Sequence, residues 1–577
     1  MTEGMKGLDN APMTAERQEL FDGAMERLDS AYDAAGGFVS GEVGRRDVRA
    51  SSHYALGLLM RDGPGDRERA CGVIGRILDL QFLSDPEADW YGSYPLTDES
   101  PVPPAEPWPG ECFTAEARYL LDKWTDLIDH RLEHSLAAEG FSAEQIGRIA
   151  SLRNQAVNRT IPLVWRTYDA NWREFISIEW ITCLFAAGRK IPEQLKSRMG
   201  EALEKSVRGS VRRRRNYIVP MNTNVELMYA LYCELTGELL QREDFRAEGR
   251  KAAGQILKKY REFHSFAEYN SSTYYAVDLM TLSLWRQAVQ DETFRAAGAE
   301  MEEGLWENLS ETYHPGLHNL CGPYSRCYEE EMQLHSMLPS ILYAALGKNS
   351  GMPLAQNTED PGLIDLALLG VEIPGRLKPS FLSFSGERCF RRQFRELIER
   401  GKPGEDTPLC TASGWLSDHV MAGVLSGSRN TSHQLRSAVV HWRTPEGKTA
   451  IISLMRRERG KEPGHLRTVF FDNTIERNRL SLTARCDVEC DVDIYFRVSG
   501  CSLSPEMIEA GQNTENSGRE IWNFPGLRVL VRTDAGRPEV RMTDSGMEIA
   551  FLSEYLPEKA TGCGSGRAVH FDLTLTE

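Results

Sequence analysis

The chain has 577 residues, 41% of them hydrophobic and 26% charged, with 67 basic against 84 acidic side chains for a net charge of −17. That length implies roughly two or three domains, and the composition is that of a globular protein. The acidic balance argues against nucleic acid or an anionic membrane as a general partner, and no apolar run reaches the roughly 18 residues of a membrane span.

The N-terminus, MTEGMKGLDNAPMTAERQE, is polar and mixed in charge. It lacks the basic start and apolar stretch of a secretion signal, so a cytoplasmic location is expected. Twelve cysteines are scattered without a CxxC pair, a pattern that predicts free thiols and not a disulfide framework.

Residues 1–40 read as a helical lead-in. From 41 to 346, apolar residues recur at three and four in SSHYALGLLMRD, RERACGVIGRILDLQFL, EFISIEWITCLFAAG, NVELMYALYCELTGELL, TYYAVDLMTLSLWRQAV and MQLHSMLPSILYAALG. Breaks of Gly, Pro, Asn and Ser separate them, which predicts helical hairpins. A Pro/Trp-rich stretch from Asp85 to Gly110 is long enough to be functional or partly disordered. Successive hairpins can close into a ring or stack as a solenoid. The polar motifs stand at helix starts, which favours a ring with its site at one end. Residues 347–380 read as a linker. From 381 to 577 the period switches to two, in SAVVHWRT, TAIISLMRR, DVDIYFRVSG, GLRVLVRTD and VHFDLTLT, which predicts an antiparallel β-sandwich. The expected fold is therefore multidomain, α then β: an N-terminal (α/α) toroid followed by the sandwich.

Four segments hold more polar and aromatic residues than caps and cores require. In YDANWREF (168–175), Asp169 or Asn171 can cap the following helix, or Asn171, Trp172, Arg173 and Glu174 can line a sugar site. In MNTNVEL (221–227), Thr223 and Glu226 have capping-box spacing, leaving Asn222 and Asn224 unexplained. Just upstream, Arg212 to Arg215 form either a solvated helix end or a positive lip for an acidic substrate. In FHSFAEYNSSTYY (263–275), His264, Glu268, Tyr269 and Asn270 crowd a loop before Tyr274 and Tyr275. In the segment from His314 to His335, the turn GPYSR presents Tyr324 and Arg326, with Tyr328, Glu331 and His335 following. His314 and His318 have metal-ligand spacing, but Pro315 and Gly316 break the helix such a site would need. No phosphate loop, dinucleotide fingerprint, HExxH or GxSxG is present, and no cofactor or metal is expected.

The segments DANWREF (169–175), TN (223–224), FAEYNSSTY (266–274) and GPYSRCY (322–328) are similar to those of a set of uncharacterised bacterial and fungal proteins. The architecture resembles the toroid-plus-sandwich polysaccharide lyases of the heparinase II/III-like and chondroitin/alginate lyase kind. That resemblance implies β-elimination beside a uronic acid. It implies Asn224 as the group that neutralises the uronate carboxylate, with Arg326 in support. It implies Tyr269 or Tyr275 as base or acid and His264 or His335 as an alternative base. The Asn-His pair common in such lyases reads Asn224-Val225 here. The alternatives are a glycoside hydrolase drawing paired carboxylates from Asp169, Glu174, Glu268 and Glu331, or a non-catalytic carbohydrate-binding protein. The expected partner is an oligosaccharide or polysaccharide; the oligomeric state is open.

Overall fold

The computed structural model describes residues 13–41, 46–88, 90–100, 131–160, 169–216, 222–354, 359–397, 407–430, 432–460, 463, 466, 469–486, 491–510, 518–553 and 567–577. Tyr168, residues 101–110 of the Pro/Trp-rich stretch, and Cys490 lie outside them.

The helices are α1 Ala15–Ala31, α2 Val48–Arg61, α3 Asp66–Asp79, α4 Ala143–Thr160, α5 Trp172–Ala187, α6 Glu193–Asn216, α7 Thr223–Leu240, α8 Glu243–Phe263, α9 Tyr274–Ala288, α10 Glu292–Thr312, α11 Leu338–Leu346, α12 Leu363–Leu369 and α13 Lys378–Leu382. Their packing explains their sequences. Helices α5, α7 and α9 are apolar almost all round and buried on nearly every face. Helix α8 buries one stripe, Phe245, Gly249, Ala252, Ala253, Ile256 and Tyr260, and turns its charges outward. The buried helices form a closed ring. Helix α2 packs on α5, α5 on α7, α7 on α9, α9 on α12, and α12 returns to α2. Outside them lie α3 against α2, α6 against α5, α8 against α7, α10 against α9 and α1 against α12. This is the expected (α/α) toroid. Residues 347–380, read as a linker, contain α12, the helix that completes the ring.

The C-terminal part is a sandwich of two antiparallel sheets. One has eight strands in the spatial order Glu539–Thr543, Gly546–Ser553, Val492–Ser499, Thr449–Glu458, Ala438–Arg443, Val420–Ser426, Leu409–Leu416 and Arg388–Arg395. The other has six: Val469–Glu476, Arg479–Cys486, Arg567–Thr576, Leu527–Thr533, Gly518–Phe524 and Ile508–Ala510. Ile452 stands opposite both Val440 and Val498. All three side chains face the core between the sheets, as the period of two requires.

The sandwich grips the ring through the loop 319–337. Tyr324 and Arg436 exchange backbone hydrogen bonds, and the Cys327 N–H donates to the Gln434 carbonyl. Gly423 permits the close approach: a Cβ there would sit 1.6 Å from the Gly322 carbonyl oxygen. Buried Glu330 takes bonds from Arg436 and Arg497 of the sandwich. The loop therefore has a fixed seat over the ring mouth.

Among the described side chains, eight cysteines are free thiols. Among the described residues, no helix is long and apolar enough to cross a membrane.

A candidate active site at the mouth of the ring

The first turns of α2, α5 and α9 and the loop 319–337 enclose a cavity of about 490 Å³. Arg49, Asp169, Asn171, Trp172 and Phe175 line one side; Thr273, Tyr274, Val277, Arg326, Tyr328, His335 and Glu359 complete it. Its polar walls are linked to one another. The Arg326 guanidinium lies 4.4 Å from the centre of the Tyr274 ring, donates to Glu268 at 3.0 Å and donates to Gln434 of the sandwich at 2.7 Å. The Tyr274 and Tyr328 hydroxyls are 2.8 Å apart. The Tyr328 ring meets His335 edge-on at 4.7 Å. His335 Nε2 lies 3.2 Å from Glu359. Arg49 reaches the other Glu359 oxygen at 3.7 Å and covers the face of Phe175 at 4.1 Å.

Two carboxyls on this cavity are driven in opposite directions. Burial pushes Asp169 above the usual carboxylate range, against its bond from the Asn171 N–H and the charges of Arg213, Arg49 and Arg326. Burial also acts to raise Glu359, but the His335 bond and the charge of Arg49 outweigh it and hold this carboxyl low. Burial holds the Tyr274 phenol well above its ordinary value, although the Arg326 charge pulls the other way.

A second layer fixes Arg326. Glu268 accepts from Arg326 with one oxygen and from the Asn224 backbone N–H, at 3.2 Å, with the other. Asp278, fully buried in α9, has no hydrogen-bond partner among the described residues. Burial and the neighbouring charge of Glu268 hold its carboxyl well above the usual range, so Asp278 is the neutral member of the pair.

Of the residues singled out in the sequence, Asp169, Asn171, Trp172, Arg326, Tyr328 and His335 meet on the cavity. Asn224 and Glu268 stand one layer behind it. The others do not line it. Tyr269 is buried where ring meets sandwich and stacks on Phe394, 5.0 Å between ring centres. Tyr275 is fully buried in the ring wall. His264 ends α8 with its side chain exposed and its ring against Tyr260. Asn270 is a staple: its side chain donates to the Cys321 and Pro323 carbonyls and accepts from Thr312. Tyr324 is fully buried and donates to the Leu320 carbonyl at 2.5 Å. Glu331 accepts from the Gln333 N–H, away from the cavity. Arg173 and Glu174 are fully buried, and Glu174 pairs with Arg213 at 3.3 Å and with Ser210. Asn222 takes the cap position of α7 without a side-chain cap bond. The Thr223–Glu226 box is not formed, because Asn222 and not Thr223 takes the cap position, and Glu226 pairs with Arg214 and Lys259.

The arginine run is a paired helix end, with Arg212 on Glu87, Arg213 on Glu174, Arg214 on Glu226 and Arg215 on Glu248. His314 and His318 do not converge as ligands. The His314 ring engages the Ser417 carbonyl and the Leu317 N–H.

Arg49, Phe175, Tyr274 and Glu359 complete the cavity without having been singled out as site residues. Beneath them, inside the ring, lies a smaller cavity of about 50 Å³ that shares Arg49, Phe175 and Val277. It holds a buried cluster that sequence reasoning also missed: His53 Nδ1 is 2.7 Å from Asp365 and 3.2 Å from Glu179. The available signal was a carboxylate set inside an apolar run in each of three helices: Glu179 in ISIEWIT, Asp278 in AVDLM and Asp365 in LIDLA.

The family described as Domain of unknown function (DUF8769) matches residues 18–116 and 154–362. The chain belongs to this family. The DUF8769 match contains every residue that lines the larger cavity and stops one residue short of α12. No curated protein matches the chain. Among solved structures the chain is similar to heparinase III, at 9% identity over 100% of this chain and 86% of the other, with a TM-score of 0.36. It is similar to the heparan sulfate lyase HepC from Pedobacter heparinus, at 9% identity, 98% and 84% coverage, and a TM-score of 0.31. A chondroitin AC lyase from Streptomyces coelicolor, solved in complex with chondroitin sulphate, is 10% identical over 96% and 83%, with a TM-score of 0.35.

Proposed function

We propose that this protein is a carbohydrate-active lyase that cleaves uronate-containing saccharides by β-elimination at the ring mouth. The observation that carries the reading is the run of side chains from Arg326 through Tyr274 and Tyr328 to His335 and Glu359 along one cavity wall.

Elimination next to a uronate requires three things. The carboxylate must be neutralised so that the C5 proton becomes acidic, a base must take that proton, and an acid must protonate the leaving oxygen. Arg326 and Arg49 supply positive charge on the cavity. Glu359 orients His335 as base, the relation that a carboxylate bears to a catalytic imidazole elsewhere. Tyr328, hydrogen-bonded to Tyr274, is the acid. Trp172 offers a flat apolar surface to a sugar ring. The C5–H bond breaks with its proton passing to His335. The C4–O bond then breaks with a proton arriving from Tyr328, leaving a C4–C5 double bond. Asn224, Tyr269, Tyr275 and His264 have no direct part in this scheme.

A glycoside hydrolase is the second reading, favoured by the opposite drives on Asp169 and Glu359. One carboxyl held high and one held low is the division between general acid and ionised partner. Mass analysis of digests of uronate oligosaccharides separates the two. Elimination yields fragments whose summed mass equals the substrate, one of them unsaturated. Fragments whose sum exceeds the substrate by one water would replace elimination with hydrolysis. No cleavage across a panel varied in uronate and linkage would remove both readings.

A further inference from the structure

We infer that His53, Glu179 and Asp365 form a binding site for one divalent transition cation, Zn²⁺ foremost, inside the ring. The site spans the three inner helices α2, α5 and α12 and is independent of the elimination reading. Their ligand atoms, one from each side chain, all lie within 4.8 Å of one another, and all three residues are buried. Both carboxylates approach the same nitrogen, His53 Nδ1, at 2.7 Å and 3.2 Å. A single N–H cannot give a good bond to both, whereas a cation at roughly 2.0–2.2 Å from each ligand satisfies all three at once.

A second observation points to the same ligand. The other Glu179 oxygen is buried with no hydrogen-bond partner among the described residues, in a side chain only 3% exposed. Glu179 lines the small cavity with His53 and Asp365; its other walls are mostly apolar, Met228, Met280 and Met337 among them, with Arg49 and Thr281. Unpartnered carboxylate oxygen in such surroundings is costly unless a cation takes it. One imidazole and two carboxylates suit Zn²⁺ with three protein ligands better than Ca²⁺, which takes six to eight oxygens. On binding, the cation replaces the proton on Nδ1, and that proton leaves to solvent. Because α12 closes the ring against α2, the cation would also fasten the closure.

The test uses the full chain, stripped of metal with a chelator and titrated calorimetrically with ZnCl₂, with its melting temperature followed in parallel. The expected result is one tight equivalent of Zn²⁺ and a raised melting temperature. Asp365→Asn, close to isosteric, should weaken binding at least about tenfold and abolish the rise. Glu179→Gln should do the same, which guards against misfolding of either variant alone. Titration with Co²⁺ distinguishes the ligands, since nitrogen and oxygen donors give no thiolate charge-transfer band. Absence of Zn²⁺ binding by the wild type would overturn the proposal. So would undiminished binding by both variants, or a cobalt spectrum with thiolate bands.

Discussion

At the scale of single residues, the site is organised by the charge that is held and the charge that is removed. Glu268 accepts from Arg326 with one oxygen and from the Asn224 N–H with the other. Asp278 beside it is neutral, because burial and the Glu268 charge both disfavour a second anion. A carboxylic acid and an amide then serve equally well at this position. Asp278→Asn is expected to change the unfolding free energy by less than about 1 kcal/mol in urea denaturation. A loss of about 3 kcal/mol or more would mean that an ionised, paired Asp278 had been removed. The same residues explain which part of the site was legible. The turn GPYSR reads as presenting Tyr324 and Arg326; it presents Arg326, while Tyr324 is buried and Tyr328, just after the turn, reaches the cavity. Tyr269 and Asn270, in an equally polar run, were consumed by the seat of that turn: one stacks on Phe394 and the other ties down the Cys321 and Pro323 carbonyls. Polarity in a loop marks both uses, and only the long-range partner separates them.

At the scale of elements, the loop 319–337 joins the ring to the sandwich. It holds Arg326 and Tyr328 over the ring because Gln434 and Arg436, just before the sandwich strand Ala438–Arg443, pair with its backbone. Glu330 anchors this junction. Burial alone would raise its carboxyl, but Arg436 and Arg497 outweigh burial and hold it at about 2, against an ordinary value of 4.5. The sign follows directly. The ionised carboxylate contributes its stability fully above about pH 4.5, and that contribution is lost as pH falls through about 2. The difference corresponds to roughly 3 kcal/mol. Wild-type stability should therefore drop across this interval more steeply than that of Glu330→Gln, measured by urea denaturation at each pH. Parallel profiles would show that Glu330 titrates normally in the folded protein. Arg49 and Glu359 show why the opposite wall of the cavity was hidden. They stand 310 positions apart in the chain, on α2 and just before α12, and only ring closure brings them to 3.7 Å.

At the scale of the whole molecule, the change from a period of 3.6 to a period of 2 made both halves readable, since each pattern follows from which face is buried. Closure into a ring was favoured by the polar helix starts, but the helix that achieves it, Leu363–Leu369, is seven residues long. So short an apolar run carries too little periodicity to stand out from a linker. With the ring closed and the sandwich seated on it, two guanidinium groups, an imidazole beside a carboxylate and a phenol pair share one cavity. β-Elimination at this cavity is measured directly by the ultraviolet absorbance of the unsaturated product. It is followed while wild type, His335→Asn and Tyr328→Phe are each incubated with a cleavable uronate oligosaccharide. Elimination through His335 and Tyr328 gives a steady rise for the wild type and a loss of at least about a hundredfold in each variant, the scale of a general acid or base. Wild-type rates in both variants would place the chemistry elsewhere in the molecule and contradict it.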